Sequence, residues 1–453
     1  MTPQQQAAIG IVSRLAKNGY TALFAGGYVR DMIMAGGGAV PAGDIDIVTS
    51  ATPQTVQELF QHTIPVGVKF GVVIVVQAGI PFEVATLRTD AGSDDGRHPS
   101  HIVFTDARHD AMRRDFTING LFYDPLTGQI SDYVSGIDDI NNRVIRAIGD
   151  PTRRFQEDYL RLLRAVRFAA RFDFSIDPAT WESVRAHAGL ITQISPERVF
   201  AELDRMLRQG HADRAVTLLS GAGLLKHVLP EVADCMGVEQ PPEFHPEGDV
   251  FSHVVKALSL MKPDPSQTLA WSVLLHDIGK KATMRVAERI RFNNHDNVGA
   301  AMAAVILRRL RAPTAIVESV EYCIGNHMNF MNVMVMRLST LKKLLSRPTI
   351  HDEIELHRVD CLASHGNIDN CTFVEDHLRA FAIERIRPEP LVGGKDLIAL
   401  GLKPGPLFGE ILQEVYDLQL DEKIRSRDEA MAIVREKWAG MKDPCPLSGN
   451  QLY

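Results

Sequence analysis

Residues 21–49 read TALFAGGYVRDMIMAGGGAVPAGDIDIVT. The pattern is a strand, a glycine turn, a helix, a second glycine-rich loop, and a strand carrying Asp44 and Asp46. Carboxylates at i and i+2 of a strand share a face, roughly 6–7 Å apart. If both are ionised and close, they repel by about 4 kcal/mol at 4 Å in an effective dielectric of about 20, and a divalent cation offsets that repulsion. The Gly26-Gly27 turn frees backbone N–H groups at a helix start, where a phosphate can sit. A phosphate cradle leading into a carboxylate pair points to metal-assisted phosphoryl transfer.

The rest of the chain sets bounds on that reading. Its 453 residues predict roughly two to four domains. Hydrophobic residues at 45% and charged residues at 23% describe a well-cored globular protein. A net charge of −7 argues against a generally cationic nucleic-acid coat, while leaving room for local basic patches, which are what phosphates feel. Cys235, Cys323, Cys361, Cys371 and Cys445 are scattered with no CxxC pair, as expected of reduced thiols in a cytosolic compartment. The N-terminal segment has no signal-peptide core, and no apolar run reaches the ~18 residues of a membrane span. A cytoplasmic protein without a membrane partner is expected.

Residues 1–19 predict an amphipathic helix stopped at Asn18-Gly19. VVIVVQAG and IPFEVATLR alternate as two strands joined by a short glycine turn, and DPLTG is a hairpin turn in TINGLFYDPLTGQISDYVSG. Residues 91–100, AGSDDGRHPS, read as a polar, mobile loop. From Pro151 onward strands vanish and helical periodicity takes over. The expected fold class is α+β, a mixed-sheet head followed by all-α domains. Pro241-Pro242 and Pro388-Glu389-Pro390 mark further boundaries. The resulting divisions are 1–149, 150–240, 241–387 and 388–453. The methionine-rich MNFMNVMVM shows no period that makes it a binding face and reads as core or a packed helix junction.

In the head, Glu83 of PFEVATLR joins Asp44 and Asp46 as a candidate metal ligand on a neighbouring strand. Arg30 and Asp31 fall in the first helical turn after the glycines, where Arg30 can meet a triphosphate; the plainer reading makes Arg30 a surface charge and Asp31 a helix-dipole partner. ARHDAMRRDFTINGL supplies Arg113, Arg114, Asp115 and Asn119, with Arg114 the better phosphate contact. RRFQEDYLRLLRAVRFAARF reads as one helix on which Arg161, Arg164, Arg167 and Arg171 form a basic stripe. Asp158 and Arg161, three apart, offer an acceptor beside a donor, a pattern that can read the edge of a base. The plainer reading is a solvated basic face.

GGYVRD, DIDIVTSATP, FEVATLRTD, DGRHP, RRDFTING and EDYLRLLRAVRFAARF, in this order, resemble the bacterial class II tRNA nucleotidyltransferases, the CCA-adding enzymes. The bacterial poly(A) polymerases share most of these motifs. The resemblance covers roughly residues 20–230. It implies a polymerase β-like nucleotidyltransferase head followed by helical neck, body and tail. It also implies Mg²⁺ at Asp44 and Asp46 with Glu83 as the third carboxylate, and Gly27, Arg30 and Arg114 on the incoming nucleotide. Asp158 and Arg161 would then pair with CTP or ATP as a protein template, flanked by Arg164 and Arg167, and tRNA would be the partner. IPVGVKFGVVIVV is nearer the CCA-adding pattern than the poly(A) polymerase one, and the DGRHP loop favours addition of the full CCA.

A second constellation spans residues 241–385: His253, His276-Asp277, His295, His327 and Asp360. Imidazole nitrogen with carboxylate oxygen suits a divalent metal of intermediate hardness, with open positions for water. LLHDIGK makes the set resemble an HD phosphohydrolase domain. That resemblance implies His253, His276, Asp277 and Asp360 as core ligands of a metal of unspecified identity, with His295 and His327 fitting the binuclear pattern. It further implies phosphatase, 2′-nucleotidase or 2′,3′-cyclic phosphodiesterase activity. His109-Asp110 and His351-Asp352 read as surface pairs. GKDLIALGLKPGPLFGEIL resembles a tail whose glycine turn either approaches an RNA backbone or packs two helices. Two alternatives stand beside CCA addition: a poly(A) polymerase, and a metal-dependent phosphohydrolase whose head only grips RNA.

Overall fold

The computed structural model describes residues 1–36, 43–66, 71–93, 99–243, 245–381 and 386–438, with backbone alone at 90–93 and 99–102. Cys445 and most of the 36–43 and DGRHP loops lie outside the described residues, as does the middle of IPVGVKFGVVIVV. The chain divides into two compact units. One is Met1–Gly237 with Lys262–Pro265 and Ile306–Pro313; the other is Val238–Met261, Ser266–Val305 and Thr314–Tyr453.

The first unit is built on a mixed sheet in the order β3-β4-β5-β2-β1-β8-β9. Its strands are β1 (Ala22–Ala25), β2 (Asp46–Thr49), β3 (Thr63–Ile64), β4 (Val72–Gln77), β5 (Ile80–Thr86), β8 (Leu121–Asp124) and β9 (Gln129–Asp132). Only β2 and β5 run parallel, Ile47 opposite Val84; the other pairs are antiparallel. That register sets Asp46 and Glu83, each one residue earlier, at the same level on adjacent strands. Ile47, Val48, Val73, Val75, Phe82 and Val84 are buried, so these strands carry the head's core.

Helix α1 (Pro3–Lys17) starts as its sequence dictates. Thr2 and Gln5 form a capping box, Pro3 sits where its missing N–H is no loss, and Asn18 ends it. It buries Ala7, Ala8, Ile11, Val12 and Leu15, a stripe at helical spacing. Residues 91–100 depart from the expected loop: β6 (Arg88–Ser93) and β7 (Pro99–Phe104) pair as an antiparallel hairpin, so both flanks of DGRHP are strand. Strands do not vanish after Pro151 either. β10 (Val144–Ile145) pairs in parallel with β11 (Ser175–Ile176), and β12 (Arg285–Val286) with β13 (Ile290–Arg291).

The arginine-rich helix is two helices, α6 (Pro151–Glu157) and α7 (Leu160–Phe172). Asp158 breaks them apart with extended φ −159° and ψ 106°, and its carboxylate accepts the Leu160 N–H at 3.0 Å. A side chain that satisfies the backbone locally competes with helix continuation. α7 buries Leu162, Leu163, Ala165, Val166, Ala169 and Ala170 against α9 (Pro196–Arg208) and α10 (Ala212–Gly221).

Among the described residues, the regular elements of the second unit are helices apart from the β12–β13 pair. One core of Phe330, Val333, Leu341, Leu345, Ile354 and Val374 joins helices Leu338–Leu345, Ile350–Ala363 and Asp369–Ala380, while Gln267–Leu275 packs on Val250–Ser259 and Thr314–Asn326, and all three contact Ile350–Ala363. The methionine-rich segment is the packed junction of its two readings, with three of its methionines turned out of the core. It is a 3₁₀ helix, His327–Val335, that buries His327, Phe330 and Val333 and exposes Met328, Met331 and Met334. A 3₁₀ helix eclipses residues three apart, so every third residue of the segment is buried. The tail helices Gly394–Ala399, Pro406–Leu420 and Arg427–Trp438 bury Leu397, Ile411, Val415, Val434 and Trp438 together, which favours the packing reading of its glycine turn. No described helix is long and apolar enough to cross a membrane. Cys235, Cys323, Cys361 and Cys371 are buried free thiols.

Candidate functional site

A cleft of about 750 Å³ in the first unit is lined by Gly26, Gly27, Arg30, Asp44, Asp46, Glu83, Arg113, Arg114, Asp115, Asn119, Asp158, Arg161, Arg164 and Arg167. Every head residue singled out in the sequence as a metal or nucleotide contact therefore faces one space. Asp46 opens β2 while Asp44 precedes it, exposed, so the two carboxylates do not share one strand as the sequence suggested. Partial desolvation in the cleft, then the Glu83 charge, pushes Asp46 up to about 6; Arg114 opposes the rise and Asp44 adds to it. Clustered carboxylates that resist ionisation together are what a divalent cation relieves, so this donor set fits a hard, oxygen-preferring metal.

The turn before α2 (Gly27–Met34) depends on Gly26 more than on Gly27. Gly26 has φ +68°, and a Cβ there would meet Arg114 Nη1 at 3.0 Å; its N–H donates to the Leu121 carbonyl. Arg30 is no surface charge. It is buried, donates to Asn119 Oδ1 at 2.6 Å and to Asp31 at 2.8 Å, and lies over the Phe172 ring at 4.6 Å.

Asp110 corrects another surface expectation. It is fully buried in the first turn of α4 (Ala107–Met112). Its Oδ1 accepts from Arg113 Nε and Nη2 at 2.9 and 2.6 Å, and its Oδ2 from Arg114 Nε at 3.1 Å. One carboxylate thus aligns two adjacent guanidinium groups. The sequence carried a signal for this, an acid three and four residues before two arginines on a helix.

The arginine stripe is not a solvated face. Arg161 is paired with Glu157 and donates to the Arg113 carbonyl. Arg164 is paired with Asp115, and Arg167 with the buried Glu202 at 2.6 Å. Asp158 and Arg161 line the same cleft with separate partners, because Asp158 Oδ2 accepts from Arg198 of α9 at 2.6 Å. Each carboxylate oxygen can accept a further hydrogen bond, so Asp158 can still meet a base. Arg198 and Glu202 escaped the sequence reading because their partners lie 40 and 35 residues upstream.

The second unit brings together all six of its predicted residues. His253 Nε2 lies 3.0 Å from Asp360 Oδ1 and 3.3 Å from His276 Nε2. His276 Nε2 is 3.3 Å from Asp277 Oδ2, and His295 Nε2 is 3.5 Å from Asp277 Oδ1 and 3.3 Å from His327 Nε2. Gly279 permits this packing, since a Cβ there would fall 2.2 Å from the His295 carbonyl oxygen. The Nδ1 atoms of His276, His295 and His327 face the carbonyls of Val273, Phe292 and Ile324 at 2.9, 2.8 and 2.6 Å. A carbonyl only accepts, so each Nδ1 carries the proton and each neutral Nε2 is a bare lone pair. Lone pairs facing each other at 3.3 Å repel, and a proton or a metal cation between them relieves the repulsion.

Burial, then the cost of a second positive charge beside His276 and His295, holds His327 down to about 4. Burial opposes protonation of His253 too, but hydrogen bonds to Asp360 and Glu247 outweigh it and push it up to about 9. Lys280 Nζ lies 2.7 Å from Asp277 Oδ2 and supplies a buried counter-charge to that carboxylate. Among the described residues, the groups whose ligand atoms lie within 4.8 Å of one another include His253–His276–Asp277 and Asp277–His295–His327, two pockets sharing one aspartate. The donor set fits divalent metal.

Residues 22–146 match the family model "Poly A polymerase head domain", and residues 173–236 match "Probable RNA and SrmB- binding site of polymerase A". The CCA-adding enzyme of Geobacillus stearothermophilus is 41% identical over 234 residues, 51% of this chain and 56% of that protein. The chain thus spans about half the length of that relative. The CCA-adding enzyme of Lactococcus lactis subsp. cremoris (strain SK11) is 30% identical over 435 residues, 94% of both chains. Among solved structures, the Bacillus stearothermophilus CCA-adding enzyme in complex with CTP matches with a TM-score of 0.75 and 26% identity, over 98% of this chain and 100% of that one. A Thermotoga maritima CCA-adding enzyme, complexed with tRNA, shares the fold at a TM-score of 0.59 and 18% identity, over 96% of each chain.

Proposed function

The chain belongs to the CCA-adding enzyme family, and on that footing we propose that it adds C, C and A to tRNA 3′ ends from CTP and ATP without a nucleic-acid template. The observation that carries the reading is one cleft holding a glycine turn, three carboxylates and the Asp158/Arg161 pair. Asp44, Asp46 and Glu83 would hold Mg²⁺, which when bound supplies charge neutralisation for the triphosphate and acidifies the attacking hydroxyl. The chain's own groups do the rest. Gly27, Arg30 and Arg114 take the nucleotide, with Arg114 set in place by Asp110. Asp158 accepts from, and Arg161 donates to, the base edge, while Arg164 and Arg167, fixed by Asp115 and Glu202, keep the wall of the cleft rigid. The tRNA 3′-oxygen displaces pyrophosphate from the α-phosphate, twice with CTP and once with ATP.

The test offers tRNA ending before CCA, tRNA ending in CC, and an unrelated RNA, each with CTP, ATP or both. Ordered C, C, A incorporation on tRNA alone is expected. ATP tailing of the unrelated RNA would overturn it in favour of a poly(A) polymerase. No incorporation at all would favour a phosphohydrolase whose head only grips RNA.

A second reading concerns the histidine centre, and the converging Nε2 lone pairs favour it. His253, His276, Asp277 and Asp360, with His295 and His327, would hold divalent metal that supplies an acidified water for attack on a phosphoester. Phosphomonoester and 2′,3′-cyclic nucleotide hydrolysis with added Mn²⁺, Ni²⁺ or Co²⁺ tests it. Activity unchanged in His276→Ala would sink it.

A further inference from the structure

Immediately before helix Val250–Ser259, the segment His245-Pro246-Glu247-Gly248-Asp249 places a carboxylate behind the histidine centre. Glu247 Oε1 accepts from His253 Nδ1 at 2.6 Å and from His245 Nδ1 at 3.0 Å. The Glu247 side chain is 5% exposed and that of His253 is 0%. Glu247 Oε2 is buried and has no hydrogen-bond partner. Asp249 caps the helix at Ser252 N, 2.8 Å away, which fixes the entry of this segment next to His253.

Of the four imidazoles in the centre, three have Nδ1 on a neutral backbone carbonyl. His253 alone has Nδ1 on a carboxylate. We propose that Glu247 is a positioning residue of the histidine centre: its buried carboxylate holds a proton on His253 Nδ1, so that Nε2 is the atom offered to metal and the strongest donor of the set once metal takes the place of its proton. A carboxylate behind a ligating imidazole fixes its tautomer and raises its basicity, worth roughly 10–100-fold in metal affinity. Its Oε1 faces both imidazoles, so the Glu247 charge acts on them directly. His245 holds Oε1 from the other side, its ring edge-on to His253 at 5.0 Å. The inference rests on reading the centre as a metal site.

The test strips the full-length chain of metal and titrates it with Co²⁺. It follows the ligand-field absorption that histidine nitrogens produce and that an all-oxygen head site barely contributes. Wild type, Glu247→Gln and Glu247→Ala are compared, with far-UV circular dichroism and CTP incorporation by the head as controls on folding. Gln keeps the size and an acceptor but removes the charge, so Glu247→Gln is expected to weaken Co²⁺ binding about tenfold, and Glu247→Ala further, towards about 100-fold. Glu247→Gln binding like wild type would overturn the proposal, whatever Glu247→Ala does, because packing alone would then explain the residue. A wild-type chain that develops no Co²⁺–histidine absorption would overturn the metal reading itself.

Discussion

Arg164 reaches across 49 residues of sequence to hold Asp115, with Nε at 2.8 Å and Nη2 at 2.6 Å from the same carboxylate oxygen. The other Asp115 oxygen accepts from Phe116 N and from Asn119 Nδ2, and Asn119 in turn accepts from Arg30. The pair therefore ties the RRDFTING loop, α7 and the helix after the glycine turn into one network. Burial pushes the Asp115 carboxyl up, but the Arg164 charge, the Asn119 hydrogen bond and Arg161 outweigh it and hold it well below the usual carboxylate range.

Asp115→Asn is expected to destabilise the first unit by about 3 kcal/mol, the low end for breaking a buried pair. The sign of the pH effect follows. With the folded pKa depressed, the stabilisation is fully present above the unfolded value of about 3.9 and is lost as pH falls through the folded one. Wild type should lose stability on acidification below about pH 4 more steeply than the variant. Parallel acid limbs in thermal melts of the two would refute the role given to this pair.

Asp46→Ala is expected to remove nucleotide transfer almost entirely. Losing a ligand at a site that stabilises several kcal/mol of developing charge costs about a thousandfold or more. Incubation with EDTA should do the same, reversed by Mg²⁺, while the fold measured by circular dichroism stays intact. Incorporation within about tenfold of wild type in either experiment would remove Asp46 from the chemistry.

Asp110→Asn addresses alignment rather than chemistry. Its carboxylate holds Arg113 and Arg114 at once, so losing its charge should let both guanidinium groups wander. A charge-assisted hydrogen bond is worth about 1.5–3 kcal/mol, which predicts a KM for nucleotide raised about tenfold or more, with the CTP/ATP choice preserved. A shift in base choice would place Asp110 in recognition instead.

Much of the head was legible because its signals are local. The glycine turn, the closely spaced Asp44 and Asp46, and the paired β4–β5 strands each sit within a few residues, and strand adjacency alone brings Glu83 level with Asp46. What escaped were relationships set by tertiary packing. Asp110 reads as a surface residue in the sequence, but the two arginines that follow it fold back over it. The arginine stripe was expected to be one helix, because nothing in EDYLR announces that Asp158 will cap α7 at Leu160. The histidine centre was legible as a set of residue types, yet Glu247 was not, since its role depends on which ring nitrogen of His253 it faces.

Asp158→Ala bears on that break. Asp158 binds Arg198 rather than Arg161, so under the proposed function the base meets a carboxylate already shared with α9. A good bidentate base contact is worth roughly 1–3 kcal/mol of discrimination, so the CTP/ATP selectivity of Asp158→Ala should fall about tenfold, measured as the ratio of kcat/KM values on tRNA ending in C. Arg198→Ala removes the competitor and should leave selectivity closer to wild type. A uniform rate loss in Asp158→Ala with selectivity untouched would make the residue a helix cap and nothing more.

The 3₁₀ helix His327–Val335 offers a sharper contrast, because neighbouring residues on it have opposite fates. Phe330 is fully buried, with its ring 5.1 Å from that of His357, whereas Met331 is 55% exposed. Phe330→Ala should cost about 3–5 kcal/mol from lost burial and the cavity left behind, and Met331→Ala no more than about 0.5 kcal/mol. His327 shares the buried ridge with Phe330, so Phe330→Ala should also weaken Co²⁺ binding at the histidine centre, while Met331→Ala should not. Equal stability losses in denaturant unfolding of the two variants would show that the three-residue period does not govern this segment.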